Sequence, residues 1–516
     1  MKNIRTLIIL LVLLITGFME ACHKIDVPVS TELTTDVFPQ DSLQFIETAG
    51  PAYVALRGSY ALDYWFLQSA STDESILPAR GGNWYDNQNY SMLHYHSWTK
   101  DHNWTNSCYV YIEKVIGASN QVLSILKTTM PEGAAKASAL AELKMVRAIG
   151  YFMMMDLYGS APLDTVYGDF GQHANVPRKE VFDFIEKDVK SCIPYLSSQT
   201  GVATYGRANK YTAYALLAKM YLNAEVYTGT ARLADCVAAC DEVIQSGKYT
   251  VTPRNNYLKM FYPDNGPDNK EFIFAIPYSP NYTTAYGLNG FMYFARYDVP
   301  RSEKDKFGIP FTPSAPRSTL PEYYAHFNDP KDIRNDQWLT GLQYMSDGVT
   351  PVTVTTTNIG YDFKYSGSDP SGKYVYQVNL TPDINLRYNA SQFDCGNDEL
   401  GWNMGYRNIK FYPDATATSR NQNNDLPMFR YADILLMKAE AILRGATATN
   451  GQTALGLVGE LRAQRSTSPA WTTVNLDSIY EERCREFAWE SWHRNDMIRF
   501  GRFEGKWGFK TDANTY

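Results

Sequence analysis

Glu486 and Glu490, one helical turn apart, are the two carboxylates in this chain best spaced for acid–base chemistry. In glycoside cleavage one carboxyl group protonates the leaving oxygen and a second acts as base or nucleophile. Arg483 and Arg494, however, lie three residues before Glu486 and four after Glu490. Cationic neighbours favour the ionised carboxylate, whereas acid catalysis needs a protonated one. The spacing therefore favours ion pairs between helices over catalysis.

Three histidines, His94, His96 and His102, lie close together in the sequence near Trp98 and Trp104. A transition-metal site would also need a carboxylate or cysteine on the same face, and this segment predicts none. The oxygen-rich stretch "DNGPDNKE" (264–271) lacks the spacing of a calcium-binding loop and is predicted to be a turn. We therefore expect no metal and no cofactor.

The composition favours a binding protein with a wet, aromatic surface. Aromatic residues make up 14% of the chain, and 38 of them are tyrosines, whose polar tips suit binding grooves as well as cores. A helical protein that simply packs with tyrosine is the alternative. The formal net charge of -7 comes without a basic stripe, which argues against a nucleic acid partner.

The N-terminus predicts export. Lys2 and Arg5 precede an apolar run that is too short to span a membrane, as in a secretory signal peptide over residues 1–21. Cys22 then stands where a bacterial lipoprotein is cleaved and acylated, and several acyl chains anchor a protein permanently. A secreted protein with a chance cysteine is the alternative. Residues 22–45 are polar and predict a tether.

Helical periodicity dominates residues 46–250 and returns in 426–516. The clearest helix runs from Ala137 to Tyr158 and stops at Gly159 and Pro162. Alanine-rich segments at 208–248 resemble the close-packed helix pairs of tetratricopeptide repeats, and Arg430–Leu443 repeats the pattern. The sequence therefore predicts a mainly α protein with tetratricopeptide-like helix pairs as a scaffold; unrelated amphipathic helices packed in another way are the alternative.

Residues 251–425 differ in character. Glycine, proline, asparagine and aromatic residues replace the helical pattern, and alternating stretches such as "KYVYQVNL" predict short strands. A loop-rich insertion on a rigid scaffold is a favourable place for ligand contacts, because loops can vary without unfolding the protein.

Four segments resemble the SusD/RagB family of nutrient-uptake outer-membrane lipoproteins. The last of them, "IYEERCREFAWESWHRNDMIRFGRF", is similar to the family's closing helix, and the second ends in a similar D-L-[FY]-G-x-x-P-L turn. The segments are Ser71–Tyr90, Glu142–Thr165, Met428–Leu443 and Ile479–Phe503.

The resemblance implies a SusD-like fold and a protein that binds rather than cleaves. Its ligand would be an oligosaccharide, and its partner a SusC-like TonB-dependent transporter over which it closes as a lid. It would be lipid-anchored in the outer membrane and face outwards. The alternatives are a surface glycoside hydrolase, an adhesin without a small ligand, and a binder of another nutrient such as peptide.

The resemblance also implies a shallow site where aromatic rings stack on sugar faces beside polar groups that bind the hydroxyls. The glycines Gly81 and Gly82 would turn the chain so that the rings of Trp84 and Tyr85 point outwards; a structural loop with buried rings is the alternative. The residues expected to bind ligand are Asp73, Arg80, Asn83, Trp84, Tyr85, Asp86 and Trp98, with Tyr286, Tyr293, Tyr297, Trp338 and Trp402 in the insertion.

Overall fold

The structure is a computed structural model that describes residues 39, 41–169, 171–278, 291–357, 373–417 and 419–513. Helices dominate both ends of the described part of the chain, and short helices and strands lie between them, which confirms the predicted mainly α fold. In the described part of the chain, no helix has the length and apolar composition needed to cross a membrane. The α-helices are α1 Ser42–Gly58, α2 Asn89–Tyr95, α3 Asn103–Thr129, α4 Ala134–Tyr158, α5 Arg178–Cys192, α6 Lys210–Leu222, α7 Ala224–Thr228, α8 Leu233–Ile244, α9 Phe294–Asp298, α10 Lys304–Phe307, α11 Pro321–Tyr324, α12 Glu399–Trp402, α13 Tyr431–Leu443, α14 Ala454–Arg462, α15 Leu476–Phe487 and α16 His493–Arg499.

The long helices pack as successive neighbours. Helices α1 and α4 both pack against α3, α4 packs against α5, and α6 packs against α8. Ala215 and Ala218 on α6 and Ala239 on α8 are buried, and such small side chains allow close approach of two helices. Helix α13 continues the series by packing against α8, α14 and α15. The scaffold therefore joins the two ends of the chain.

Helix α4 ends where its sequence predicts. Gly159 follows it with a φ of +79°, a conformation that suits glycine, and its N–H donates to the carbonyl of Met155 at 3.1 Å. The chain can then leave the helix axis, and Ala161 pairs with Val176 just before α5.

The strands pair two by two, and the partners of β1 and β2 come from distant parts of the chain. Among the described residues they form two-stranded antiparallel sheets, β1 with β8, β2 with β7, β3 with β6 and β4 with β5. Two of the strands lie within the alternating stretch 373–380, as predicted. The strands are β1 Phe272–Ile276, β2 Trp338–Leu339, β3 Gly341–Leu342, β4 Thr353–Thr356, β5 Tyr374–Gln377, β6 Asn379–Leu380, β7 Arg407–Asn408 and β8 Leu426–Arg430.

Glu486 on α15 lies at the centre of a buried ion-pair network. Its carboxylate is 3.0 Å from Arg334, 2.9 Å from Arg430 and 3.0 Å from Arg465. Burial alone would raise the pKa of Glu486, but the three guanidinium groups hold it well below its usual range. Because the arginines come from separate segments, the network locks α15 to the middle of the chain.

The predicted end of the tether, at residue 45, lies inside the first helix. Helix α1 begins at Ser42, so it overlaps the predicted tether 22–45. The carboxylate of Asp41 accepts the N–H of Gln44 at 2.9 Å, and Phe45 is buried in the core, which together start the helix earlier. Cys22 and the predicted signal peptide lie outside the described residues.

After α1 the chain forms two π-helical segments, Tyr60–Tyr64 and Phe66–Ala70. These wider turns bury Trp65 and Phe66 completely, and π-helical turns in other proteins frequently lie near functional sites.

Candidate functional site

The segment Gly81–Gln88 is a loop fixed to the distant middle region. The N–H groups of Gly81 and Gly82 donate to the two carboxylate oxygens of Asp394, at 2.7 and 2.8 Å. Just before the loop, the N–H of Ala79 donates to the carbonyl of Phe393 at 2.8 Å. Residues that are 313 positions apart therefore set where the loop stands.

Gly81 is required by space as well as by backbone conformation. Its φ is +63°, and a Cβ at this position would lie 2.2 Å from the Cβ of Asn397. Gly82 has a φ of +82°, but a Cβ there would meet nothing within 4 Å. The predicted sharp turn is present, and Gly81 is the glycine that lets the loop touch the insertion.

The rest of the loop is held in a costly backbone conformation. Residues other than glycine in the left-handed region cost about 1–3 kcal/mol each and cluster at ligand-binding sites. The side-chain amide of Gln88 donates to the hydroxyl of Tyr85 at 2.9 Å, and the Gln88 N–H donates to the Tyr85 carbonyl at 2.8 Å. Four residues of the loop have φ between 43° and 68°: Trp84, Asp86, Asn87 and Gln88.

The loop places Trp84 against a second segment that begins at Phe291. The rings of Trp84 and Tyr297 meet edge to face with centroids 5.4 Å apart. The ring of Tyr293 lies 6.5 Å from Tyr297 and 5.3 Å from Phe291. We name these four residues, Trp84, Phe291, Tyr293 and Tyr297, the aromatic surface.

Arg296 lies among the rings of the aromatic surface. Its guanidinium carbon is 5.9 Å from the ring centroid of Trp84, 5.3 Å from that of Tyr293 and 5.5 Å from that of Tyr297. Attraction between the cation and the ring faces holds the side chain in place. The group combines apolar ring faces with N–H donors.

The aromatic surface is accessible at its outer edge. Phe291 is 38% exposed, Trp84 and Tyr293 are half-buried, and Tyr297 forms the buried base. Burial raises the pKa of Tyr293, whereas nearby arginines lower it, and the net effect is a pKa above the ordinary value. Its hydroxyl is therefore neutral at physiological pH and can both donate and accept a hydrogen bond.

Several residues predicted to bind ligand come together here. Asn83 and Asp86 are exposed beside Trp84, Tyr85 is half-buried on the same loop, and Tyr293 is on the facing segment. Their amide, carboxylate and hydroxyl groups are the types that hydrogen-bond sugar hydroxyls. Another predicted residue, Tyr286, lies outside the described residues.

Three residues that we predicted to bind ligand are buried, so the prediction is wrong for them. Arg80 has no exposed surface, and its guanidinium donates to the backbone carbonyls of Gly401, Pro316 and Met404. Such a side chain cannot touch a ligand on the surface. Arg80 instead holds the insertion beneath the loop.

Trp338 and Asp73 are corrected for the same reason. Trp338 is 6% exposed and packs 5.1 Å from Phe327 and 5.3 Å from Trp489, centroid to centroid. The Asp73 carboxylate accepts from the ring of His493 at 2.6 Å and lies in the core. Both residues stabilise the fold beneath the site.

Trp98 is half-buried but lies apart from the aromatic surface. Its ring neighbour is His96, at 5.1 Å, and it lines a small depression of about 70 Å³ with Leu67, Tyr158 and Arg494. No ring contact with the aromatic surface occurs in the described part of the chain. Trp84 and Trp98, close in sequence, therefore face different surroundings.

The three histidines have separate hydrogen-bond partners. His94 accepts from the N–H of Phe509 at 3.0 Å, and His96 contacts the carbonyl of Ser71 at 2.8 Å. Burial lowers the pKa of His94 to about 3, so its ring is neutral. Within the described ranges, no group of three or more His, Cys, Asp or Glu side chains could hold a metal ion.

Two residues that shape the site were not predicted from the sequence. Arg296 stands in the aromatic run "FMYFARYDV", and a cation among closely spaced aromatic residues is a signal that could have indicated it. Asp394 gave no local signal, because its partners Gly81 and Gly82 are distant in sequence.

A depression of about 360 Å³ lies beside the loop. Arg301 and Trp402 line it together with Asn397, Glu399 and Asn403. Trp402, another predicted aromatic contact, is only 8% exposed there. Asn397, whose Cβ faces Gly81, joins this depression to the loop.

Two family models match this chain. A model described as the SusD family matches residues 215–516, and one described as starch-binding and associating with the outer membrane matches residues 46–222. Together they cover both helical regions and the insertion.

Individual relatives agree with these matches. The starch-binding protein SusD of Bacteroides thetaiotaomicron is 25% identical over 81% of this chain and 74% of its own length. A SusD-like protein of Bacteroides ovatus is 26% identical over 77% of this chain and 68% of its own. The structure of surface glycan-binding protein A from Bacteroides thetaiotaomicron, in complex with laminarihexaose, has a TM-score of 0.69 at 18% identity and covers 92% of this chain and 94% of that one.

Proposed function

The chain belongs to the SusD family, and on that premise we propose that it captures an oligosaccharide at the cell surface for nutrient uptake. The observation that carries the proposal is the aromatic surface, where Trp84, Phe291 and Tyr293 offer partly exposed rings around Arg296. Relatives that are named for binding starch or are bound to laminarihexaose support a saccharide cargo.

Binding follows from the chemistry of the two partners. A sugar ring presents C–H groups on its faces and hydroxyls around its edge, so it packs on aromatic faces and hydrogen-bonds at its rim. Asn83 and Asp86 supply exposed amide and carboxylate groups next to Trp84. Because the loop is already held in its strained conformation, little further ordering is needed when the ligand binds.

Cleavage of the cargo is not part of the proposal. The best-spaced carboxylate pair contains Glu486, which is buried and ion-paired to three arginines. A general acid must be protonated near neutral pH and must reach the glycosidic oxygen. Glu486 meets neither requirement, and the named relatives are binding proteins.

The proposal includes a membrane setting and a partner. We place the protein on the outer membrane, held by acyl chains on Cys22, where it delivers cargo to a SusC-like TonB-dependent transporter as a lid. The family model described as associating with the outer membrane supports this setting. Metabolic labelling with palmitate and co-purification of a barrel transporter test it, with Cys22→Ala as the control. If the Cys22→Ala variant kept both the palmitate label and the transporter, the proposed anchor would be contradicted.

Isothermal titration against a panel of starch, laminarin and xyloglucan oligosaccharides, with a peptide mixture included, tests the site. Trp84→Ala and Tyr293→Ala are each expected to weaken binding about five- to thirtyfold, because each stacking residue contributes about 1–2 kcal/mol. The matched control is Tyr195→Ala, which removes a ring that is 56% exposed at the end of α5.

Tyr195→Ala should unfold as the wild type does, and circular dichroism at the temperature of the titration should show that Trp84→Ala and Tyr293→Ala remain folded, which separates loss of contact from loss of fold. Trp98→Ala, outside the aromatic surface, should bind as the wild type does. Wild-type affinity in both Trp84→Ala and Tyr293→Ala, or binding of peptides alone, would overturn the proposal.

A further inference from the structure

The guanidinium of Arg301 lies over the indole ring of Trp402 at the edge of the 360 Å³ depression. Its guanidinium carbon is 3.9 Å from the indole centroid, which is the distance of direct stacking. The indole itself is fixed, because its N–H donates to the Oδ1 of Asn397 at 3.0 Å. Contact with the indole ring therefore restrains the guanidinium group of Arg301.

The edge of this guanidinium is unused. An arginine has five N–H donors in a planar fork, and Arg301 donates none of them to any residue in the described ranges. Arg317 and Arg334, by contrast, each bind a carboxylate through two nitrogens, Arg317 to Asp298 and Arg334 to Asp332. Arg301 is exposed, so its N–H groups are open to a ligand.

The depression presents the N–H groups of Arg301 to a ligand, and not an aromatic ring face. Trp402 is 8% exposed and Arg301 covers its face, so a sugar cannot stack on it. Asn397 and Asn403 contribute amide groups to the lining. A planar fork of donors is the geometry that binds carboxylate and sulfate oxygens in a bidentate manner.

The depression also adjoins the aromatic surface. Ala315, which lines it, donates its N–H to the carbonyl of Arg296 at 3.0 Å. On the other side, Asn397 faces Gly81 of the loop that carries Trp84. We therefore expect a saccharide chain that is bound at the aromatic surface to reach the depression.

We propose that Arg301 binds an oxyanion carried by the sugar chain, a uronic acid carboxylate or a sulfate ester, so that the cargo is an acidic oligosaccharide. This inference rests on the proposed function and adds the chemical class of the cargo. Carboxylate and sulfate share the chemistry that Arg301 recognises, and the probes below separate them.

Glu399 lines the same depression and opposes an incoming anion. Burial raises the pKa of Glu399, the charge of Arg301 lowers it, and Asp398 raises it. The carboxylate therefore limits the affinity for an acidic sugar without removing it. This gives the two residues opposite expected effects: loss of Arg301 weakens binding, and neutralising Glu399 strengthens it.

Two matched pairs of probes test the inference by isothermal titration. Oligogalacturonides and their methyl esters differ in the carboxylate charge, and sulfated carrageenan oligosaccharides and their desulfated forms differ in the sulfate. The wild type should bind the acidic member of one pair at least about tenfold tighter than the neutral member. Arg301→Gln should lower the affinity for the acidic member until the two members of the pair bind equally.

Two further variants sharpen the test. Glu399→Gln should tighten acidic binding severalfold. Arg502→Gln, at an exposed arginine paired with Asp477, changes the net charge equally and should have no effect. Equal binding of both members of each pair, or an acidic preference that survives in Arg301→Gln, overturns the inference. If neutral glycans bind and acidic ones do not, the inference is wrong and the proposed function is retained. If no glycan binds, both the inference and the proposed function are wrong.

Discussion

The carboxylate of Asp394 accepts the backbone N–H of Gly81 at 2.7 Å and thereby joins the insertion to a loop 313 positions earlier in the chain. The same carboxylate accepts the N–H groups of Gly82 and Gly396, each at 2.8 Å. The side chain of Asp394 therefore fixes the position of the loop that carries Trp84. The aromatic surface exists only when both segments are folded together.

Gly81→Ala should destabilise the protein and weaken glycan binding together. The new Cβ would stand 2.2 Å from Asn397 in a backbone with φ of +63°, which costs about 3 kcal/mol for strain and overpacking combined. Urea unfolding measures the change in the free energy of unfolding. Gly82→Ala is the matched control, since its Cβ meets no atom within 4 Å and only the backbone cost of about 1 kcal/mol applies. Equal effects of the two substitutions would contradict the close approach to Asn397.

Asp394→Asn should loosen the loop while leaving the scaffold folded. An amide has one acceptor oxygen in place of two, so N–H groups of Gly81 or Gly82 lose a charge-assisted partner worth about 1.5–3 kcal/mol. Hydrogen exchange of residues 81–83 should accelerate, and glycan affinity should fall.

The control is Asp347→Asn, since this exposed carboxylate also accepts backbone N–H groups, from Val349 and Thr350, in a turn of its own. It should change exchange only in that turn. Unchanged exchange at 81–83 in Asp394→Asn would show that Asp394 does not hold the loop.

The helices could be predicted because their signals are local. In α4, apolar residues three and four positions apart make one face, and Gly159 ends the helix within the same stretch of sequence. The charged spacing around Glu486 likewise predicted ion pairs, and the structure supplies them. The pattern did not show which arginines would be partners, because Arg334 and Arg430 lie in other segments.

The site was predicted only in part because burial depends on distant partners. Arg80 and Trp84 stand in one short segment and both suit a sugar site by residue type. Arg80 is nevertheless covered by Gly401 and Met404, which come from the insertion, while Trp84 remains half-buried. Trp338 has the residue type of a binding platform, but other aromatic side chains surround it. Residue type indicated the chemistry, and the tertiary contacts decided which residues could perform it.

The buried pair of Asp73 and His493 predicts a pH-dependent stability. Burial alone would lower the pKa of His493, but Asp73 raises it well above the ordinary 6.5; burial alone would raise the pKa of Asp73, but His493 lowers it below 3.8. The contribution of the pair is therefore fully present between these two ordinary values. It is lost as the pH rises above 6.5 through the raised pKa of His493, and as the pH falls below 3.8 through the lowered pKa of Asp73.

Asp73→Asn should thus cost about 3 kcal/mol at pH about 5.5 and progressively less at higher pH, because the unpaired His493 can lose its proton. Urea unfolding across the pH range measures this. Cys484 also faces His493, with its sulfur 3.9 Å from Nδ1, so the double variant Asp73→Asn/His493→Gln serves as the control without the titrating ring. A cost for Asp73→Asn that is constant or grows above pH 6.5 would contradict the assignment.

Glu486→Gln should destabilise the fold strongly. It should remove no glycan-cleaving activity, because we expect the wild type to have none. The substitution leaves Arg334, Arg430 and Arg465 with one carboxylate fewer in the core, and removing one member of a buried ion-pair network costs about 3–5 kcal/mol. Glu481→Gln, on the same helix but 46% exposed and 3.8 Å from its arginine, should cost less than about 0.5 kcal/mol. Urea unfolding compares the two, and incubation of the wild type with polysaccharide, followed by analysis of reducing ends, tests for cleavage. If Glu486 were instead a catalytic acid, the wild type would release sugars, and Glu486→Gln would abolish that release with little loss of stability.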